Sequence, residues 1–319
     1  MKTRYAGGMV YFLVIVMTLL MRVSGGLGIY DRVAVDSDVF FTLIIQLLCF
    51  GALPLVGYFI IAKSCDKDEI RPLCAEFNLR KCSSRNFAYS LAVMLPIMLL
   101  TGVISFAWNN VLALMGFDMP SSDPADLTVG NLLADIALSA MLPGIFEELT
   151  HRGLVFAAYR DSGYKVIPVS ALLFALMHQY IPQTGYTFFF GLMLAMIVYY
   201  TGSVFPAMFI HFFNNFISVV ADYAEMNAAF AFVDRAMSWL YSSWVGIGVL
   251  FVCIIASVAL IFYFFDKLRS DAVANGRIPD KFFYRGGSSA IPYKKDLPFI
   301  VTVLTGAAAT LFSFVWGMV

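Results

Sequence analysis

The stretch VGNLLADIALSAMLPGIFEELTHRGLVFAAY, residues 129–159, decides how this chain has to fold. Most of it is apolar, and it exceeds the roughly 20 helical residues that cross a bilayer core about 30 Å thick. Yet towards its end it carries Glu147, Glu148, His151 and Arg152. Ionisable groups in an apolar helix are costly, and by default they face the inside of a helix bundle and carry a function. The stretch therefore predicts a membrane-spanning helix with one face turned towards partner helices.

The rest of the chain supplies those partners. Of its 319 residues 61% are hydrophobic and only 13% charged, and the mean hydropathy is +0.81. That apolar excess is well above a soluble domain's share and has to face lipid. Nine stretches are apolar enough to span: 8–30, 39–62, 87–115, 129–159, 165–182, 186–201, 203–222, 238–265 and 297–319. The expected fold is an all-α polytopic membrane protein, a helical bundle of about eight to nine transmembrane helices. It divides into N-terminal helices with a cytoplasmic loop 63–86 (1–128), a core (129–222), and C-terminal helices with a basic cytoplasmic loop 266–296 (223–319). The N-terminus resembles a signal peptide, but Arg22 directly follows the apolar run, so it is read as a retained first span.

Charge orients the spans. With the N-terminus inside, 18 of the 21 Lys and Arg residues fall on cytoplasmic segments, and only Arg22, Arg32 and Arg235 fall outside. The positive-inside rule then puts the N-terminus in the cytoplasm and, with nine spans, the C-terminus outside, in the cell membrane. Trp108, Trp239, Trp244 and Trp316 all lie near outer boundaries, as an interfacial belt would. Acidic and basic residues balance at 21 each, which gives no reason to expect nucleic acid as a partner. The five cysteines form no CxxC pair, and Cys65, Cys74 and Cys82 share one cytoplasmic loop, so neither a disulfide framework nor a cysteine zinc site is expected.

Polar residues inside the spans concentrate in three places: Glu147-Glu148 to Arg152, Phe174 to His178, and His211 to Asn215. All three histidines of the chain fall there. The turn Arg160-Asp161-Ser162-Gly163-Tyr164 makes the fourth and fifth spans a hairpin, from which depths follow at 1.5 Å per residue. Glu147 then lies about 18 Å from the tip, His178 about 20 Å, and His211 and Asn215 about 12 and 18 Å from Ser203. The clusters share a level. Residues four apart share a helix face, so Glu148 can pair with Arg152, Glu147 with His151, and His211 with Asn215. Pro143 and Pro206, just ahead of two clusters, are expected to bend their helices or free a carbonyl.

Hydrolysis of a peptide bond without a serine or cysteine nucleophile needs a base for water, donors for the oxyanion and a proton route to the leaving amine. Glu147 offers the base, His178 a partner for the water, and His211 with Asn215 the donors. Glu148 and Arg152 read as a supporting ion pair. His151 reads as a second layer behind the site, and Asn214 as interhelical glue. The phenylalanines at 188–190 read as packing or lipid-facing residues, and Gly191 with Ala195 as a close helix contact.

Glu147-Glu148…Arg152, Phe174…His178 and His211…Asn215 resemble, in that order, the EExxxR, FxxxH and HxxxN motifs of the CPBP group of CAAX prenyl proteases and bacteriocin-processing or self-immunity proteins. The resemblance covers about residues 129–222. It implies a glutamate intramembrane protease in which the first Glu and the His of FxxxH activate water and the last His and Asn form the oxyanion hole. It also implies a peptide or protein substrate, prenylated or bacteriocin-like, and no cofactor. Two other readings fit the same residues. Glu147, His151, His178 and His211 would make a zinc site, although no HExxH is present. A non-catalytic immunity, scaffold or transport protein would use the cluster for binding or proton relay.

Overall fold

The computed structural model describes residues 2–26, 42–64, 72–118, 128–226, 231–280 and 295–318. Arg32, Cys65 and residues 281–294 of the basic loop 266–296 lie outside the described residues, as does part of the loop 63–86. Besides one short helical turn at Leu73–Glu76, the described residues form ten longer helices: α1 (Lys2–Gly26), α2 (42–64), α3 (Ser84–Leu114), α4 (129–159), α5 (Val166–Met177), α6 (Ile181–Thr201), α7 (Phe205–Met226), α8 (Ala231–Ser242), α9 (Trp244–Ala274) and α10 (Leu297–Trp316). No strand occurs among the described residues. Seven described helical stretches are long and apolar enough to cross a bilayer, with α4, α5 and their connection counted as one. The protein is a multi-pass, all-α membrane bundle.

Local chemistry sets the helix ends. The side chains of Ser83, Thr128, Ser243 and Asp296 each accept a hydrogen bond from a backbone N–H in the first turn of the helix that follows. At the tip of the α4–α5 hairpin Gly163 takes φ +59°, and Gly202 ends α6 at φ +66°, conformations a side chain would resist. The hairpin is the one the turn residues predicted.

Two boundaries and one expected bend differ from the sequence reading. The fifth span was expected to run to residue 182, but α5 ends at Met177. Pro182 opens α6, and Gln179 takes the left-handed φ of +49°, so the helix cannot run through. The Gln179 amide donates to the Ile15 carbonyl at 2.9 Å and to Thr18 Oγ1 at 3.0 Å, pinning this turn to α1. Pro206 does not bend its span: it lies in the first turn of α7, where a missing N–H costs nothing. The polar stretch from 266 was read as loop, yet α9 continues to Ala274, because Asp271 is buried against Arg85 and accepts from Asn86 Nδ2 at 2.8 Å.

Ion pairs collect at one end of the bundle. Arg4 meets Asp296 at 2.6 Å and Asp161 at 3.8 Å. Arg160 meets Glu76 at 2.6 Å, and Arg85 meets Asp271. These contacts tie together the N-terminus, the segment before α3, the hairpin tip and the two ends of the 266–296 stretch. The four segments that carry most of the positive charge thus converge on one basic end. Exposed Trp239, Trp244 and Trp316 belong to helix ends on the opposite side.

Candidate active site

Helix α4 is irregular where its charges lie. Wide, π-type turns at Ile136–Met141 and Leu149–Val155 flank the regular segment Leu142–Glu148. Pro143 has no N–H to offer the preceding turn, which accounts for the first of these irregularities. Just past it, Gly144 permits close approach: a Cβ there would stand 2.9 Å from the backbone nitrogen of Phe212. That contact sets α7, and with it His211, directly against the two carboxylates. Gly191 serves α5 and α6 alike, since a Cβ there would stand 3.1 Å from the Ala171 Cα.

The supporting pair lies deepest. Glu148 and Arg152 are fully buried, with Arg152 Nη1 donating to Glu148 Oε1 at 2.8 Å and Nη2 to the Gly191 carbonyl at 2.8 Å. His211 Nδ1 donates to the same Glu148 oxygen at 2.9 Å, while its Nε2 stands 3.9 Å from Glu147 Oε2. One histidine ring therefore bridges the two carboxylates. Glu147 is held from a third direction, where Gln46 Nε2 on α2 donates to its Oε1 at 3.1 Å.

A carbonyl can only accept, so the contact of 2.8 Å between His178 Nδ1 and the Phe174 carbonyl fixes a proton on Nδ1. In the neutral ring Nε2 is then a free acceptor. By the same logic His151 donates from Nδ1 to the Glu147 carbonyl at 2.7 Å, and its Nε2 lies 2.8 Å from the Tyr11 hydroxyl. Both His151 nitrogens are engaged away from the site. The pairing expected between Glu147 and His151 is thus through the Glu147 backbone and not through its carboxylate. Among the described residues no three His, Cys, Asp or Glu side chains are grouped as ligands for one ion, and the zinc set that included His151 is not assembled.

Phe174 sits at the centre of the cluster. Its ring lies 4.9 Å from the Arg152 guanidinium and meets the rings of His151, His178 and His211 edge-on, with centroids 4.9, 5.0 and 5.7 Å away. An aromatic face is an apolar surface on which a cation is still favourable, so this ring spaces the polar groups without taking their hydrogen bonds.

Glu147, His178, His211 and Asn215 come from α4, the end of α5, and α7, and all four line one cavity of about 640 Å³. Glu148, His151 and Arg152 do not line it and stand behind it. Asn214, read from sequence as glue, lines the cavity and donates to Asn215 Oδ1 at 3.3 Å, which leaves the Asn215 amide hydrogens for another acceptor. The sequence reading missed Gln46 and Tyr11. Each is a hydrogen-bonding side chain within an apolar span, and each had to find a buried partner; that was the signal available.

Residues 129–217 match the family model described as type II CAAX prenyl endopeptidase Rce1-like. The match covers α4 to the first half of α7, the segment whose motifs resemble the CPBP group, and is consistent with it. No curated protein and no solved structure shows a significant match to the chain.

Proposed function

We propose that this protein is an intramembrane endopeptidase of the CAAX type that hydrolyses a peptide bond with water activated by Glu147. The observation that carries the reading is the convergence of Glu147, His178, His211 and Asn215 on one cavity. A water between Glu147 and His178 Nε2 meets two acceptors, and Glu147 takes its proton as the oxygen attacks the carbonyl carbon. The Asn215 amide and His211 Nε2–H face the oxygen that becomes an oxyanion. With Nδ1–H already given to Glu148, His211 donates from Nε2 only when doubly protonated, and the two carboxylates beside it balance that charge. When the C–N bond breaks, Glu147 passes the proton to the leaving amine. Glu148 and Arg152 hold the floor of the site, and His151 with Tyr11 fixes the backbone at Glu147.

The mechanism needs no metal, so cleavage is expected to survive strong chelators. The test is purified protein incubated with a library of prenylated and unprenylated peptides, with Glu147→Ala and His178→Ala beside the wild type. Both substitutions are expected to abolish cleavage; cleavage unchanged by either would sink the mechanism. A wild type that cleaves nothing would favour the non-catalytic membrane role.

A further inference from the structure

A second cavity lies at the basic end, where the first turn of α3 meets the end of α9. Its volume is about 440 Å³, and its described lining is Ser83, Arg85, Asn86, Asp271, Asn275 and Arg277, without an apolar residue. None of the six lines the cavity that holds Glu147. The apolar run of α9 ends at Phe265, and Asp271 follows six residues later, about 9 Å further along the axis. That is close to the depth of lipid headgroups, which extend about 5–8 Å beyond the hydrocarbon core on each side.

Charge in this cavity does not balance. Asp271 is buried, pairs with Arg85 and accepts from Asn86 Nδ2 at 2.8 Å, so its carboxylate is already committed. Arg277 donates from Nη1 to the Tyr200 carbonyl, and none of the ion pairs among the described residues uses it. Two guanidiniums thus share one carboxylate, which leaves one net positive charge. Arg85, Asn275 and Arg277 are exposed, so the cavity is open to a ligand. The planar fork of an arginine matches the oxygens of a phosphate.

The buried wall of the cavity narrows the ligand further. Asn86 is 1% exposed, and its Oδ1 is buried without a hydrogen-bond partner. Asp271 can only accept, so the Asn86 nitrogen must face it and the oxygen is the atom left over. A buried acceptor is costly to leave unpaired, and this one calls for a donor that arrives with the ligand.

We propose that this cavity binds a phosphate ester that carries a hydroxyl or ammonium donor beside its phosphate. The remaining donors of Arg85 and Arg277 hold the phosphate oxygens, Asn86 Oδ1 accepts from the ligand's donor, and the single negative charge of a phosphodiester completes the balance. The depth of the site favours a phospholipid headgroup over a soluble ester. Bound there, the headgroup ties the start of α3 to the end of α9.

Thermal unfolding of the purified, delipidated protein in a neutral detergent tests this without any cleavage. The midpoint is followed against rising phosphatidylglycerol, phosphatidylcholine, whose headgroup has no N–H or O–H, or inorganic phosphate. Phosphatidylglycerol is expected to raise the midpoint saturably, since a ligand of the folded state alone stabilises it, and phosphatidylcholine is not. Arg277→Gln is expected to weaken the apparent affinity for phosphatidylglycerol about tenfold, the loss of one charge-assisted hydrogen bond. Arg277→Lys keeps the charge and is expected to lose less, which separates lost recognition from lost folding. Lys267→Gln, exposed on the same end of α9 but outside the cavity, is expected to change nothing. A saturable rise with inorganic phosphate that phosphatidylglycerol does not exceed would keep the phosphate site and assign it to a soluble ester. No rise with any of the three, equal rises with the two lipids, or equal losses in Arg277→Gln and Lys267→Gln would overturn the proposal.

Discussion

The same helices build two different interiors on either side of the carboxylate pair. Towards the basic end α4, α6 and α7 meet through small and apolar residues, with Leu194, Ala195 and Ala207 fully buried. Away from it they separate around a cavity of mixed lining, in which Glu147, His178, His211 and Asn215 share the wall with Leu99, Phe174, Phe190 and Val219. The boundary is the Glu148–Arg152 pair. An ion pair buried at 2.8 Å with no exposure is not a cheap way to gain stability, since desolvation offsets most of its attraction. What it provides here is a rigid floor that holds His211 against the site. The difference teaches that two adjacent glutamates belong to opposite halves: Glu147 lines the cavity, and Glu148 is fully buried behind it.

That division predicts opposite phenotypes for the two acids and their partners. Glu147→Gln keeps the shape and the bond from Gln46 can reorganise, so folding is expected to survive while kcat/KM falls about 10³- to 10⁴-fold. Peptide hydrolysis and thermal unfolding of the same preparation check this; near-normal turnover in the variant would break the assignment of Glu147 to the reacting side. Arg152→Met does the reverse. It leaves Glu148 charged, fully buried and held by His211 alone, and is expected to cost about 3–5 kcal/mol of stability. Thermal unfolding in detergent would show a large drop in midpoint, and an unchanged midpoint would mean that the floor does not depend on the pair.

Much of this division could be read from residues before any coordinates. Apolar length gave the bundle, and the Arg160–Tyr164 turn gave the hairpin, because a glycine in a polar tip allows little else. The i to i+4 spacing gave the Glu148–Arg152 pair. The spacing misled for Glu147 and His151, because sharing a face does not say which atom a ring nitrogen reaches, and a helix offers it the carbonyl of residue i−4. The end of α5 was misplaced because apolar character continues past Met177 while the backbone at Gln179 turns left-handed. Gln46 and Tyr11 went unassigned because contacts from α1 and α2 to α4 depend on packing between segments far apart in sequence, which no periodicity encodes.

On the proposed peptidase reading, the Asn215 side of the cavity allows a finer cut. Asn215 accepts from Asn214, so its amide hydrogens are free for a developing charge and its removal takes away one donor and little packing. Asn215→Ala is expected to lower kcat about 10²-fold with KM nearly unchanged. Equal changes in kcat and kcat/KM would mark an interaction made in the transition state alone. A rise in KM with kcat intact would instead assign Asn215 to substrate binding in the cavity.

Gln46 gives the smallest effect and the closest test of how rigid the cavity side is. Its amide nitrogen donates to Glu147, while its own Oε1 is buried without a protein partner. Gln46→Leu removes one charge-assisted hydrogen bond, worth about 1.5 kcal/mol at the low end of such bonds, and so about tenfold in rate if all of it orients the base. Because the substitution also removes an unpaired buried oxygen, stability is expected to hold or rise. A tenfold loss of kcat beside an unchanged unfolding midpoint would place Gln46 among the groups that aim Glu147. No loss would mean that His211, at 3.9 Å, and the backbone clamp from His151 aim the carboxylate without it.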